Sequence, residues 1–328
     1  MRFKFTGPLF IVGMPRSGTK LLRGLLNEHD LIRIPLNETN FFPLLNSKWH
    51  TFRDLSDYNN FKKFYNTVVQ FPYFIYRSKS YGNISCETWF GMCKDFTIGE
   101  IFETLIRHDI KAPFGSDIIW GDKSPGYVRH LKLLYSVYPN AKFIHIIRDV
   151  RDYCLSVNNA WGKNIFRSAQ RWNNDVMKCL KDSKNIPTDS YIQIRYEDLL
   201  EDPEDEISKI CNFLNVNFNK KIIELSRPTE KIGDAKGKIF IMKSNKEKYK
   251  TEMSTKIQKK VESIAYAALI QFGYESQYSE GAKEIPSIKM RYYQLIDILN
   301  LLRFRIKEMG LRGCFKFNIN RLKFFRKT

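Results

Sequence analysis

The chain lacks most of the short signals that assign a function at once. Its six cysteines, Cys86, Cys93, Cys154, Cys179, Cys211 and Cys314, form no CxxC pair and no metal-ligand spacing. Cysteines scattered in this way read as reduced structural thiols of a cytoplasmic protein rather than as a disulfide framework. Only five histidines are present; His29, His108 and His145 have no partners at ligand spacing, so no metal is expected. No apolar run approaches the ~18 residues that read as a membrane span. The basic, apolar start from Met1 to Met14 runs straight into a glycine-bearing loop, which argues against a cleaved leader. Repeats and low-complexity tracts are absent. Acidic residues are also scarce: 35 Asp plus Glu stand against 54 Lys plus Arg, a formal net charge of +19. That excess calls for an anionic partner, whether nucleic acid, an anionic membrane surface, an acidic glycan or an anionic cofactor.

What is present is a chain built to fold. Its 328 residues are 43% hydrophobic and 14% aromatic, which excludes disorder and allows one or two domains. Pro8 to Gly13, Ile118 to Lys123, Ala141 to Ile147 and Ser190 to Arg195 read as buried strands. Helical periodicity follows over Lys20 to Glu28, Tyr127 to Tyr138, Val150 to Trp161 and Pro203 to Leu214, with a further helix from Ser254 to Phe272. Alternating strands and helices predict an α/β fold with a mostly parallel, doubly wound sheet flanked by helices. Ligands of such sheets bind beyond the carboxyl ends of the strands. The division expected is a main domain over 1–280, with a helical insertion at about 41–115, and a basic helical extension over 281–328. The insertion is rich in aromatics, Phe41, Phe42, Trp49, Phe71, Tyr73, Tyr76 and Trp89, which are read either as core and lid packing or as substrate contacts.

The segment Gly13-Met-Pro-Arg-Ser-Gly18-Thr-Lys20 nearly matches the triphosphatase phosphate loop G-x-x-x-x-G-K-[ST]. The last two residues are transposed and Arg16 stands inside the loop, so neither the phosphate-binding Lys nor the metal-holding hydroxyl is in register. A strand-to-helix loop still aims backbone N–H groups and a positive helix end at an anion. Arg16, Ser17 and Thr19 add donors, which predicts a phosphate site without an obligatory metal. A second feature is Arg148, at the carboxyl end of a buried strand, with Ser156 about two turns into the next helix. Together they predict a second, separate phosphate site.

Pro15-Arg-Ser-Gly-Thr19 together with Arg148 and Ser156 resembles the two phosphate-binding motifs of sulfotransferases that use 3'-phosphoadenosine 5'-phosphosulfate. The resemblance covers roughly residues 8–273 and includes Gly121 to Pro125, Arg195 to Leu199 and the closing Phe272-Gly-Tyr-Glu. It lies nearest the branch with tyrosylprotein and many bacterial and glycan sulfotransferases. It implies a P-loop-like three-layer sandwich in which Pro15, Arg16, Ser17, Gly18, Thr19 and Lys20 hold the 5'-phosphosulfate, Arg148 and Ser156 the 3'-phosphate, and Tyr196 touches the same cofactor. It implies Glu38, in Leu36-Asn-Glu-Thr-Asn40, as the base, with Lys123 and Arg16 stabilising charge on the transferred group. General-base action typically contributes 10² to 10⁴ in rate. A capping role for Glu38 and a salt bridge of Lys123 with Asp122 are the plain alternatives. A Lys or Arg from a late loop is expected over the cofactor, with Lys243, Lys246 and Lys248 equally placed. In tyrosylprotein members an Arg follows about one turn beyond the equivalent of Ser156, and Val157 to Ala160 supplies none.

The function expected is therefore sulfuryl transfer to an acceptor hydroxyl, with a carbohydrate or glycolipid favoured and peptide tyrosine as the alternative acceptor. A P-loop kinase using ATP and a basic nucleic-acid-binding protein are the competing readings; no recognised nucleic-acid motif accompanies the charge. The stretch 285–328 stands apart, with eleven Lys and Arg against Asp297 and Glu308 only, a net +9 in 44 residues. Its Ile288, Leu295, Ile298, Leu299, Leu302 and Ile306 recur at helical spacing. It reads either as a helix packed on the domain with a solvated basic face or as a peripheral contact with anionic lipid or acidic glycan.

Overall fold

The computed structural model describes residues 4–78, 82–277 and 284–326. Its centre is a parallel five-stranded sheet: β1 (Leu9–Gly13), β2 (Ile32–Arg33), β3 (Ile119–Lys123), β4 (Lys142–Ile147) and β5 (Tyr191–Arg195), in the order β2-β3-β1-β4-β5. β1 is sandwiched in register between β3, with Leu9 opposite Gly121, and β4, with Leu9 opposite Lys142. Because strand side chains alternate between faces, Phe10 and Val12 enter one hydrophobic core and Leu9 and Ile11 the other. Helices cover both faces, giving the three-layer α/β sandwich.

After β1 comes α1 (Thr19–Leu26). Between β2 and β3 lie α2 (Phe42–Lys48), α3 (Tyr58–Val68), α4 (Pro72–Ser78), α5 (Cys86–Met92) and α6 (Ile98–Ile110). This insertion is not a separate body. Phe41, Phe42, Phe71, Tyr73 and Trp89 are buried in the same core as Phe10 of β1, and Trp49 packs half-buried against it. Phe41 stacks on Phe71 with ring centres 5.0 Å apart. The aromatics are packing, as the plainer reading held; the side chain of Tyr76 lies outside the described residues.

The expected helix over Tyr127 to Tyr138 is broken. A 3-10 turn, Pro125–Arg129, leads into α7 (Leu131–Val137) through His130, whose backbone, φ −129° and ψ 22°, is not helical. α8 (Val150–Trp161) follows β4, capped by the Asp149 carboxylate. α9 (Ile165–Ser183), unexpected from the periodicity, is capped by Asn164 and buries Trp172. α10 (Tyr196–Glu201), α11 (Pro203–Leu214), α12 (Tyr249–Glu252) and α13 (Thr255–Gln271) complete the body, and α14 (Ser287–Arg326) runs along its outside with non-helical backbone at Gly310. Cys86, Cys93, Cys154, Cys179 and Cys211 are buried.

Candidate active site

The chain runs from β1 to one side of the sheet, returns through β3, and crosses to the other side at β4. The reversal falls between β1 and β4, the place where open α/β sheets leave a crevice. The loop after β1 sits there. Gly13 and Gly18 have φ of +153° and +88°, and a Cβ would lie 2.3 Å from the Ile146 carbonyl oxygen at Gly13 and 2.2 Å from Tyr196 Cδ2 at Gly18. Arg16 itself adopts φ +73°. Gly18 precedes α1 without a side-chain cap, so the first N–H groups of the helix stay available to an anion. Ser17 is buried and its Oγ has no hydrogen-bond partner. Buried polar groups are normally paired, so an unpaired hydroxyl inside a turn of N–H donors fits a phosphate ligand.

The second motif adjoins the first instead of forming a separate site. Arg16 Nε donates to Ser156 Oγ at 3.2 Å, and Arg148 donates to the Arg16 carbonyl at 3.1 Å. Arg148 also donates to the Asn245 carbonyl, pairs with Asp152 at 3.6 Å and lies 4.8 Å over the Tyr196 ring. Its Nε is buried without a partner. Ser156 and Arg148 therefore meet through Arg16, giving one continuous donor surface. Tyr196 is held against it by Asn245, whose amide donates to the phenol oxygen at 2.8 Å. Behind the surface, the Asp149 carboxylate accepts from Arg151, which also reaches Glu262, while the Asp149 N–H donates to Glu197. These ties fix the end of β4.

Glu38 and Lys123 form a direct ion pair, so Lys123 reaches Glu38 rather than Asp122. Lys123 is fully buried at the end of β3, and burial pushes its ammonium down to about 8. Burial would raise the Glu38 carboxyl, but the Lys123 charge and hydrogen bond, with Asn40 and Lys20, hold it below the ordinary carboxylate range. The loop carrying Glu38 is pinned from below. Thr39 Oγ1 bonds Asp122 at 3.0 Å, Ser124 at 3.2 Å and Tyr127 at 2.6 Å. The Phe42 N–H donates to the Tyr127 hydroxyl and the Asn40 N–H to Ser124. Burial pushes the Asp122 carboxyl up to about 6, against the hydrogen bonds from Ser124 and Thr39.

Two clefts open on either side of the phosphate loop. One, narrow, is lined by Arg16, Gly18, Arg148, Tyr196, Glu230 and Asn245 among others. The other, wider, is lined by Met14, Pro15, Asn40, Tyr127, Arg129 and Arg171 among others. Asn40, which lines the wider cleft, donates to Glu38 at 3.1 Å, so the carboxylate stands one side chain behind that lining. Lys20 lies between the two sides: it stands 4.0 Å from Glu230, and its charge lowers both Glu38 and Lys123. Arg16 is engaged on the narrow side, with Ser156, Glu230 and the Ile232 carbonyl.

The three late lysines separate. Lys243 and Lys246 reach Glu201. Lys248 pairs with Asp234, and its ammonium is lowered by burial and by the nearby Arg148 and Arg16 charges; it is the one beside the phosphate surface. Sequence reasoning missed Glu230, Asn245 and Arg23. Arg23 is buried with its guanidinium on the Leu36 carbonyl and near Glu38; a basic residue four places after Thr19, on the apolar face of α1, was its available signal. Glu230 and Asn245 reach the site only by tertiary contact and carry no local signal. Among the described residues no group of three or more His, Cys, Asp or Glu converges as a metal site would.

A family model described as a sulfotransferase family matches residues 8–220. A putative protein-tyrosine sulfotransferase of Caenorhabditis briggsae is 27% identical over 236 residues, 68% of this chain and 70% of that protein. Protein-tyrosine sulfotransferase A of Caenorhabditis elegans is 25% identical over 223 residues, 66% of this chain but only 51% of its own length. Among solved structures, the sulfotransferase domain of the Synechococcus PCC 7002 olefin synthase superposes with a TM-score of 0.55 at 20% identity, covering 84% of this chain and 98% of that domain. At that identity the likeness is one of fold.

Proposed function

The chain belongs to the sulfotransferase family, and from that premise we propose that it moves a sulfuryl group from 3'-phosphoadenosine 5'-phosphosulfate to the phenol of a tyrosine in a protein or peptide. Residues 15–20 would hold the phosphosulfate, and Arg148, Ser156 and Tyr196 the other phosphate and its nucleoside, with Lys248 beside them. The unpaired Ser17 Oγ and Arg148 Nε supply donors for such a ligand. When bound, the donor supplies the sulfuryl group and leaves as adenosine 3',5'-bisphosphate.

The observation that carries the reading is the Glu38–Lys123 pair, one side chain behind the lining of the wider cleft. Glu38 takes the proton of the acceptor hydroxyl as its oxygen bonds to sulfur and the sulfur–oxygen bond to the leaving phosphate breaks. Lys123 and Lys20 meet the negative charge that gathers there, an electrostatic contribution of the kind that dominates many transfers. A carboxylate held below its ordinary range is a weak base. It is better matched to a phenol, with a pKa of about 10, than to the far less acidic hydroxyl of a sugar.

The acceptor reading replaces the carbohydrate expectation. Phe41, Phe42, Phe71, Tyr73 and Trp89, open at first to being substrate contacts, are core residues, and relatives named protein-tyrosine sulfotransferases favour the phenol. A transfer assay with labelled donor tests it against tyrosine peptides, glycans and glycolipids, with and without a chelator. Label on tyrosine, undiminished by chelation, is expected. Label on glycans alone overturns the acceptor. Glu38→Gln is expected to keep adenosine 3',5'-bisphosphate binding and to lower turnover at least about 100-fold.

A further inference from the structure

Between Tyr293 and Asn300, α14 docks on the body through one helix face. Asp297 accepts from the Asn164 N–H at 2.7 Å and from Arg167 at 2.5 Å. Asn300 donates to the Gly162 carbonyl at 2.7 Å, and Tyr293 lies against Phe166. Residues 293, 297 and 300 share a helix face, since positions three and four apart stack along an α-helix. Ile288, Tyr292, Leu295, Leu299 and Leu302 follow the same three-and-four spacing on the opposite side. They are exposed, Ile288 to 84% and Leu295 to 62%. The aliphatic residues that a helix ordinarily turns inward here face out, and a polar and aromatic set does the docking. Lys289 and Arg303 on one flank of the stripe and Arg291 on the other are exposed too.

We propose that this outward face of α14 lies in the plane of an anionic lipid bilayer, its apolar stripe among the acyl chains and its flanking cations at the headgroups. An amphipathic helix with apolar residues on one face and Lys or Arg beside them binds membranes in this manner, the long basic side chains reaching back to the interface. The stripe needs apolar cover, which an acidic polysaccharide does not provide. A second copy of the same helix would provide it, but would bring together two segments of net +9; anionic lipid satisfies both the apolar and the charged residues at once. Among the described residues no helix is long and apolar enough to cross a membrane, so the contact proposed is peripheral. Its anchors, Gly162, Asn164 and Arg167, lie at the junction of α8 and α9, and the stripe itself, exposed at Leu295 and Leu299, includes none of the residues assigned to the chemistry, so the contact is separable from it.

The test uses the full chain and the double variant Leu295→Glu/Leu299→Glu, in co-sedimentation with vesicles of phosphatidylcholine with and without phosphatidylserine. Binding to the anionic vesicles, weakened by salt and at least about tenfold by the double variant, is expected, while transfer to a soluble acceptor is unchanged. Equal vesicle binding by the variant overturns the proposal, as does failure of the unaltered chain to bind. Retention on an acidic polysaccharide without vesicle binding assigns the surface to a glycan instead. A dimer in solution that the double variant makes monomeric assigns it to a second copy. Loss of vesicle binding with soluble transfer retained leaves the sulfuryl-transfer reading intact, so the two readings fail separately.

Discussion

Arg16 and Glu230 are joined by an ion pair of 2.8 Å across 214 positions of sequence. Both side chains are largely buried, so the pair is shielded from the screening that makes exposed ion pairs weak. The carboxylate stands where an anionic ligand of the phosphate loop would meet Arg16 and Lys20, and the two compete for the same donors.

Removing that competition is expected to help the nucleotide. Glu230→Gln should tighten adenosine 3',5'-bisphosphate binding about fivefold, the net worth of one ordinary hydrogen bond, about 1 kcal/mol. Isothermal titration of the variant and the unaltered chain measures it. Weaker binding would instead make Glu230 the group that orders Arg16.

The pH dependence follows from Lys123. Its ammonium is pushed down to about 8 by burial, so the charge is present below that pH and lost above it. Turnover should fall as pH rises through about 8, approaching tenfold per unit. Glu38, held low, stays ionised over the same interval and contributes no limb there. A pH profile of turnover with saturating substrates checks this, and Lys123→Arg, charged throughout, should lose the basic limb whatever activity it keeps.

Thr39 is expected to act through its neighbour Glu38 as a positioning residue. Thr39→Val removes the hydroxyl shared by Asp122, Ser124 and Tyr127 and leaves buried polar groups unmet, at a cost of about 1–3 kcal/mol. Denaturant unfolding should show that loss. Turnover should fall more than nucleotide affinity does, and Thr39→Ser should restore both. An unchanged turnover in a destabilised protein would confine Thr39 to packing.

The parts of this molecule written in short stretches were legible. β1 and β4 declare themselves by apolar runs, α8 by its helical periodicity, and the loop between Gly13 and Lys20 by its two glycines and its Arg. Glu38 and Lys123 are separately placed by their neighbours in sequence. What sequence could not supply is the pairing of distant groups. Nothing near Glu230 points to Arg16, and the separation between Arg16 and Ser156 hides a direct hydrogen bond. α14 kept two readings open for another reason: its periodicity is real, but periodicity names a face without saying which side it turns to the protein. Asp297, Tyr293 and Asn300 decided that by their contacts with Asn164, Arg167, Phe166 and Gly162.

The phosphate loop stands as a wall between two clefts, with Arg16 and Gly18 on one side and Met14 and Pro15 on the other. If nucleotide and acceptor take one cleft each, as the proposed function requires, neither must depart before the other enters, and transfer is expected to go through a complex holding both at once, without the enzyme carrying the group in between. Initial rates measured at several fixed acceptor concentrations should give intersecting rather than parallel reciprocal plots, and the product nucleotide should obstruct the donor without closing the acceptor's entrance.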